Sequence, residues 1–211
     1  MLAPGAFTIG FARRATLYKR LHLIFTDTEQ LKYIARTVGP IQIVFAGKAH
    51  PKDEPGKELI RRVFRYALTL KDDIKIAYLE NYDIDLGRLL TAGVDLWLNT
   101  PLRPLEASGT SGMKAAHNGV PSLSVLDGWW VEGHIEGVTG WSIGPDASGT
   151  GQDSDEQDAR DLYHKLGAVI APLYFNDRER WTRIMRYCIA LNASFFNTHR
   201  MVQQYATSAY L

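Results

Sequence analysis

The sequence predicts an α/β fold in which helices cover both faces of a parallel sheet, a doubly wound arrangement followed by C-terminal helices. One observation behind this is a set of short apolar runs of strand type at residues 8–12, 41–46, 74–79 and 94–98. Another is the helical spacing between them: Leu21, Ile24, Phe25, Leu31 and Ile34, then Leu59, Ile60, Val63, Phe64 and Ala67. Strands alternating with helices imply βαβ units, whose inner strands read as apolar runs because both faces are covered. The third is size. A chain of 211 residues fits one generous domain or two small ones and can bury ~70% of its unfolded surface without disulfides or structural metal.

Taken in order, residues 8–12 open the sheet and run into Arg13, Arg14 and Lys19. Residues 41–46 precede Gly47, residues 74–79 precede Glu80-Asn-Tyr82, and residues 94–98 precede a Gly-rich segment that starts a helix. A doubly wound sheet binds ligands beyond the carboxyl ends of its strands, so chemistry is expected in these loops. Gly144 to Ser154 is polar, Gly-rich and aperiodic, which reads as a surface loop. Residues 159–174 and 178–205 then show helical spacing without strand signals. The division is an α/β ligand-binding region at 1–144, a polar loop at 145–157 and C-terminal helices of the same domain at 158–211.

With 24 Lys+Arg against 23 Asp+Glu, no general affinity for nucleic acid or membrane surfaces is expected, and anion recognition must be local. The single cysteine, Cys188, excludes a disulfide framework and a thiolate zinc site and suits a reducing cytoplasm. No apolar run approaches the ~18 residues of a membrane span, and the N-terminus lacks signal-peptide character. The six histidines show no ligand spacing, so no metal is expected. His134 reads as a loop-packing residue and Asp127 as a turn residue.

The most informative segment is 104–119. Gly109, Thr110, Ser111 and Gly112 place small residues and free amides at a helix start, which favours an anion. Lys114 lies one turn beyond Thr110 on the same face. It can hold a phosphate as a point charge or bond to a cofactor aldehyde whose phosphate sits at the helix start. Taken alone, such a turn is better explained by a surface lysine after a Gly-rich βα loop.

The wider set of motifs resembles the C-terminal domain of the α-glucan (glycogen, starch and maltodextrin) phosphorylases, in their shorter bacterial and archaeal form. It comprises Gly10-Phe-Ala-Arg-Arg14, Tyr18-Lys-Arg20, Ala46-Gly-Lys-Ala-His50, Glu80-Asn-Tyr82, Glu106-Ala-Ser-Gly-Thr110, Met113-Lys114, Asn118-Gly119, Leu126-Asp-Gly-Trp-Trp130 and Phe196-Asn-Thr-His-Arg200, in the family's order. The resemblance implies a Rossmann-like domain forming the C-terminal half of a GT-B glycosyltransferase. It implies transfer of a glucosyl unit from α-1,4-glucan or maltodextrin to inorganic phosphate, giving glucose 1-phosphate.

By the same resemblance the cofactor is pyridoxal 5'-phosphate, bonded to Lys114 and held by Tyr82, Gly109 and Thr110. Arg13 and Lys19 neutralise its phosphate. Arg14 binds the substrate phosphate, Gly109 adjoins the substrate, and Glu106 and Ser108 hold the glucosyl hydroxyls. Arg14, Lys19 and Lys114 are the catalytic set. One position departs: the long eukaryotic enzymes carry arginine after the tyrosine of Glu80-Asn-Tyr82, and this chain carries Asp83.

The family's N-terminal domain lies outside this sequence, so the isolated chain is expected to fold without degrading glucan. An exposed face bearing Trp129, Trp130, Phe195, Phe196 and Tyr205 would then favour self-association into a homo-oligomer. Two alternatives remain at this point: a non-catalytic phosphate- or cofactor-binding module, and a nucleotide-sugar glycosyltransferase of similar fold. A synthase has no need of an imine-forming lysine at position 114.

Overall fold

A computed structural model describes residues 2–145 and 154–210. Its centre is a six-stranded parallel sheet made of β1 (Phe7–Ala12), β2 (Ile41–Ala46), β3 (Lys75–Leu79), β4 (Leu96–Asn99), β5 (Ser122–Val125) and β6 (Gly140–Ile143), in the order β3-β2-β1-β4-β5-β6. The connection reverses direction between β1 and β4. A crevice therefore opens beyond the carboxyl ends of those two strands.

Helices α1 (Thr28–Thr37), α2 (Glu54–Thr69), α3 (Ile84–Gly93), α4 (Thr110–His117) and the single-turn α5 (Trp130–Gly133) connect the strands. Asp27, Asp53 and Asp83 cap the first three, each accepting a hydrogen bond from the amide three residues on. That explains Asp83 as a helix cap. Strands β1 and β2 are buried along their whole length, as expected of inner parallel strands. Ile9, Phe11, Ile43 and Phe45 point to one side, whereas Val44 and Ala46 point to the other, where they meet Leu90 of α3 and Ala115 of α4.

Strands β5 and β6 are additional to the four apolar runs. Each is only four residues long, and their Ser, Gly and Trp content carries no strand periodicity. They form because β4 offers an open edge that Ser122, Leu123 and Ser124 pair with. At the other end of the first helical pattern, Leu23–Phe25 forms a separate 3-10 turn, since Asp27 starts α1 afresh.

The C-terminal region begins with α6 (Asp155–Lys165), capped by Ser154. This helix starts inside the stretch read as loop to residue 157; residues 146–153 of that stretch lie outside the described residues. Helices α7 (Ala171–Asn176), α8 (Arg178–Tyr187) and α9 (Thr198–Tyr205) follow, with a fresh start at α9 where Asn197 accepts a hydrogen bond from the Arg200 amide. Trp181 fastens α8 to the sheet: its ring stacks on Trp141 of β6 at 6.0 Å and meets Phe7 of β1 at 5.7 Å. Such rings bury ~150–250 Å² each, which makes this contact a main weld between sheet and C-terminal helices.

Trp129 and Trp130 are buried, contrary to the expectation of an exposed aromatic face, at 3% and 0% exposure. Phe196 folds back against Trp129 edge to face at 5.1 Å, and His134 packs on Trp130 at 5.3 Å. The C-terminal segment thus covers from within the chain what was expected to need a partner. Phe195 and Tyr205 remain exposed.

Near the β6 end, Lys165 of α6 donates to the Ser142 carbonyl at 2.9 Å and lies 3.3 Å from Glu136. Burial opposes ionisation of Glu136, but the hydrogen bond to His134, the Ser142 amide and the Lys165 charge outweigh it and hold the carboxyl down to about 2. A folded-state value below the unfolded one adds stability above the unfolded pKa, and that stability is lost as pH falls through the folded value. Thermal melts of wild type and Glu136→Gln should therefore differ by a constant amount above about pH 4.5 and converge toward about pH 2. A difference that grew on acidification would contradict this assignment.

Candidate active site

The crevice is built from the two segments that leave β1 and β4. The Arg13 amide extends the sheet ladder by donating to the Ala46 carbonyl at 3.1 Å, and Ala15 donates to Lys48. The chain then turns through Leu17–Lys19 into Arg20, whose φ of 45° is left-handed. Arg20 holds that shape by donating to the carbonyls of Thr100 (3.0 Å) and Pro101 (2.9 Å) and to Asp158 (2.6 Å), while the Thr100 hydroxyl donates back to Lys19 at 2.9 Å. The two segments at the reversal point are thereby locked to each other and to α6.

This lock turns two of the three cations inward. Arg13 and Lys19 are buried, and both reach the same oxygen of Glu106, Oε2; the Arg13 separation is 2.8 Å. Burial pulls the Arg13 guanidinium below its usual range, and Glu106 partly offsets this. The Lys19 ammonium also lies 4.5 Å from the Tyr18 ring centre. Arg14 faces outward and is exposed, with no ion pair among the described residues.

Glu106 is held by its backbone. Its amide donates to Asp127 Oδ2 at 2.8 Å, Asp127 Oδ1 accepts from Gly128 at 3.0 Å, and the Trp129 amide donates to the Ser108 carbonyl at 2.8 Å. The 127–129 turn is thus a clamp on the 106–108 loop. Gly128 is required there, because φ is +56° and a side chain would meet the Ser108 oxygen at 2.5 Å. Gly109 caps α4 with φ of +87° and no side-chain hydrogen bond; the Gly112 amide donates to the Gly109 carbonyl at 3.1 Å, and the Thr110 and Ser111 amides find no partner among the described residues.

Beyond this loop lies an open cleft of about 1280 Å³ into which Tyr82, Ser108, Thr110 and Lys114 all project. Lys114 is exposed and in no ion pair among the described residues. Burial raises the Tyr82 phenol above its ordinary value, with the Arg13 charge acting the other way. The structure therefore gathers Tyr82, Ser108, Thr110 and Lys114 in the cleft and Arg13, Lys19 and Glu106 in a buried cluster beside Gly109. It brings Glu106 to the cations and Arg14 into neither group.

Other cleft residues were not singled out for chemistry: Arg88, His117, His199 and Arg200. His117 Nε2 lies 3.0 Å from the Phe196 carbonyl, tying the C-terminal segment to α4. Nothing in local spacing signals such a meeting across 79 residues. Among the described residues no three His, Cys, Asp or Glu side chains converge as a metal site, and no helix is long and apolar enough to cross a membrane.

The family model for carbohydrate phosphorylases matches residues 12–139. Maltodextrin phosphorylase of Thermococcus litoralis is 49% identical over 98% of the chain, and glycogen phosphorylases of Aquifex aeolicus and Mycobacterium tuberculosis are 45% and 42% identical over 100% and 98%. The chain spans 25%, 32% and 25% of the length of these three relatives. With a family match across the crevice loops and α4, and relatives of this identity along its whole length, the chain belongs to the carbohydrate phosphorylase family.

Proposed function

We propose that this chain forms the cofactor- and phosphate-bearing wall of an α-glucan phosphorylase, which passes a glucosyl unit from an α-1,4-glucan or maltodextrin end to inorganic phosphate and yields glucose 1-phosphate. The supporting observation is the convergence at the reversal point: two buried cations on one carboxylate, set against the start of a helix whose Thr110 and Lys114 enter one cleft. Family membership favours this over a nucleotide-sugar transferase.

The residues fit pyridoxal 5'-phosphate. Lys114 offers an exposed amine in no ion pair among the described residues, α4 offers the Thr110 and Ser111 amides, and Tyr82 and Thr110 flank the same space. When bound, the group supplies a phosphate that exchanges a proton with the substrate phosphate, its ring serving as an anchor. Lys114 would hold it, with Gly109 and Thr110 at its phosphate. Like unit charges ~4 Å apart repel by about 4 kcal/mol at an effective dielectric of ~20, so bringing two phosphates together needs cations in place. Arg13 and Lys19 meet that need from inside, and Arg14 is the outward cation for the substrate phosphate. Glu106 and Ser108 would take the glucosyl hydroxyls.

Water exclusion and alignment of the glucan end require a second wall, proposed to come from the further length that the relatives possess. The 211-residue chain by itself is accordingly not expected to release glucose 1-phosphate. A reducing cytoplasmic setting goes with this reading, supported by the buried free thiol of Cys188, which burial pushes up to about 12. The test is borohydride reduction of the chain mixed with pyridoxal phosphate, followed by peptide mapping. The pyridoxyl group is expected on Lys114; labelling confined to other lysines would sink the assignment.

A further inference from the structure

We propose that Glu106 is an internal counter-ion that holds the Arg13–Lys19 pair until a phosphate group displaces it, which frees the carboxylate to turn toward the cleft. The proposal deepens the phosphorylase reading of the site and rests on it for the sugar-binding role of the freed carboxylate.

Charge is the first ground. Two cations, with side chains 6% and 8% exposed, share one carboxylate oxygen, so the buried cluster keeps a net positive charge. Besides Lys19, the ionisable groups acting on Arg13 are Glu106, Tyr18 and Tyr82, of which Glu106 is the carboxylate. The nearby Asp127 carboxylate is committed to two backbone amides. A buried, undercompensated cation is costly, and the cluster is poised for a more highly charged anion.

Geometry is the second. Arg13 Nη1 lies within ion-pair distance of Glu106 but finds no hydrogen-bond partner of acceptable angle, and is buried. In this arrangement Glu106 Oε2 accepts from the Lys19 ammonium and leaves Arg13 Nη1 without an aligned partner. A phosphate dianion offers several oxygens around one centre and can meet both.

The third is freedom to move. The Glu106 backbone is clamped through Asp127, whereas among the described residues its carboxylate bonds to the two cations alone. A side chain built at Gly109 would lie 3.5 Å from Glu106 Cγ, so the cluster abuts the start of α4, directly before Thr110 in the cleft. An incoming phosphate at that helix start would reach the cations by displacing Glu106 rather than by moving the loop.

The experiment is a titration of the 211-residue chain and its Glu106→Gln variant with inorganic phosphate, by calorimetry and thermal shift. Without phosphate the variant should melt lower, since its buried cations lack a counter-ion. With phosphate it should show the larger rise in melting temperature and bind on the order of tenfold more tightly, because no internal anion competes. Equal or weaker binding to a variant with native circular dichroism, or no binding to it, would overturn the proposal.

Should the variant not fold, the Glu106 side-chain carboxyl carbon can be followed by NMR in the wild-type chain. Its resonance should move as phosphate saturates, and an unmoved resonance overturns displacement. Repeating the titration after reduction of pyridoxal phosphate onto Lys114 tells the source of the displacing group. Loss of the variant's advantage there assigns the cation pair to the cofactor phosphate, and its persistence assigns it to free phosphate; both support displacement. Failure of Lys114 labelling with the Glu106→Gln effect intact would remove the cofactor assignment alone.

Discussion

Arg14→Ala, in a chain carrying the full length of its relatives, is expected to slow phosphate-dependent glucan cleavage by about 10²–10³-fold, the usual cost of one donor aimed at developing charge. Arg14 is exposed and in no ion pair among the described residues, whereas Arg13, one residue earlier, is buried on Glu106. Consecutive residues leaving a strand point to opposite sides. One cation of the pair thus lies inside the cluster and the other faces outward, as the proposed substrate-phosphate role of Arg14 requires. Removing the exposed Arg14 side chain breaks no ion pair or hydrogen bond among the described residues, so folding and the pyridoxyl label on Lys114 should persist. The measurement is the initial rate of glucose 1-phosphate formation across phosphate concentrations, alongside cofactor content. Loss of cofactor with unchanged phosphate dependence would reverse the roles of the two arginines.

Asp158→Ala is expected to destabilise the fold by about 3–5 kcal/mol, the usual cost of leaving one partner of a buried ion pair uncompensated. Asp158 and Arg20 meet at 2.6 Å with side chains 1% and 3% exposed. Asp155 also reaches Arg20 at 2.9 Å but is half exposed, which places the loss toward the lower end. Because Arg20 locks the β1 and β4 segments, the variant should also loosen the cation cluster and bind inorganic phosphate more weakly. Urea unfolding gives the first effect and the phosphate titration the second. The double variant Arg20→Met with Asp158→Leu should recover much of the stability, since a matched apolar pair removes the stranded charge. A loss for Asp158→Ala of under about 1 kcal/mol, the scale of a surface pair, would show that the charge is solvated after all.

Strands β1 to β4 were legible because each is an apolar run flanked by helical spacing, a signal carried by neighbouring residues. Strands β5 and β6 were not, since Ser122–Val125 and Gly140–Ile143 become strands only when the edge of β4 is there to pair with. The α4 segment could be read as a phosphate-favouring helix start because glycine, hydroxyl and lysine lie within one turn of each other. The same holds for the motifs that tie the chain to its family.

What the sequence by itself determined is the set of local commitments: a parallel α/β sheet, the helix starting at Thr110, the lysine one turn on, and three cations after the first strand. Tertiary structure alone decided which cations face inward, that Glu106 pairs with two of them, that Asp127 clamps Glu106, and that Phe196 covers Trp129. These contacts join residues 67 to 93 positions apart or, for Asp127 and Glu106, 21 apart on different loops. Hydrophobic spacing reports which side of a segment is buried, because burial depends on a residue's immediate neighbours. The pairing of a charge depends on the far side of the sheet, where strand order brings β1 beside β4, and no local pattern encodes that juxtaposition.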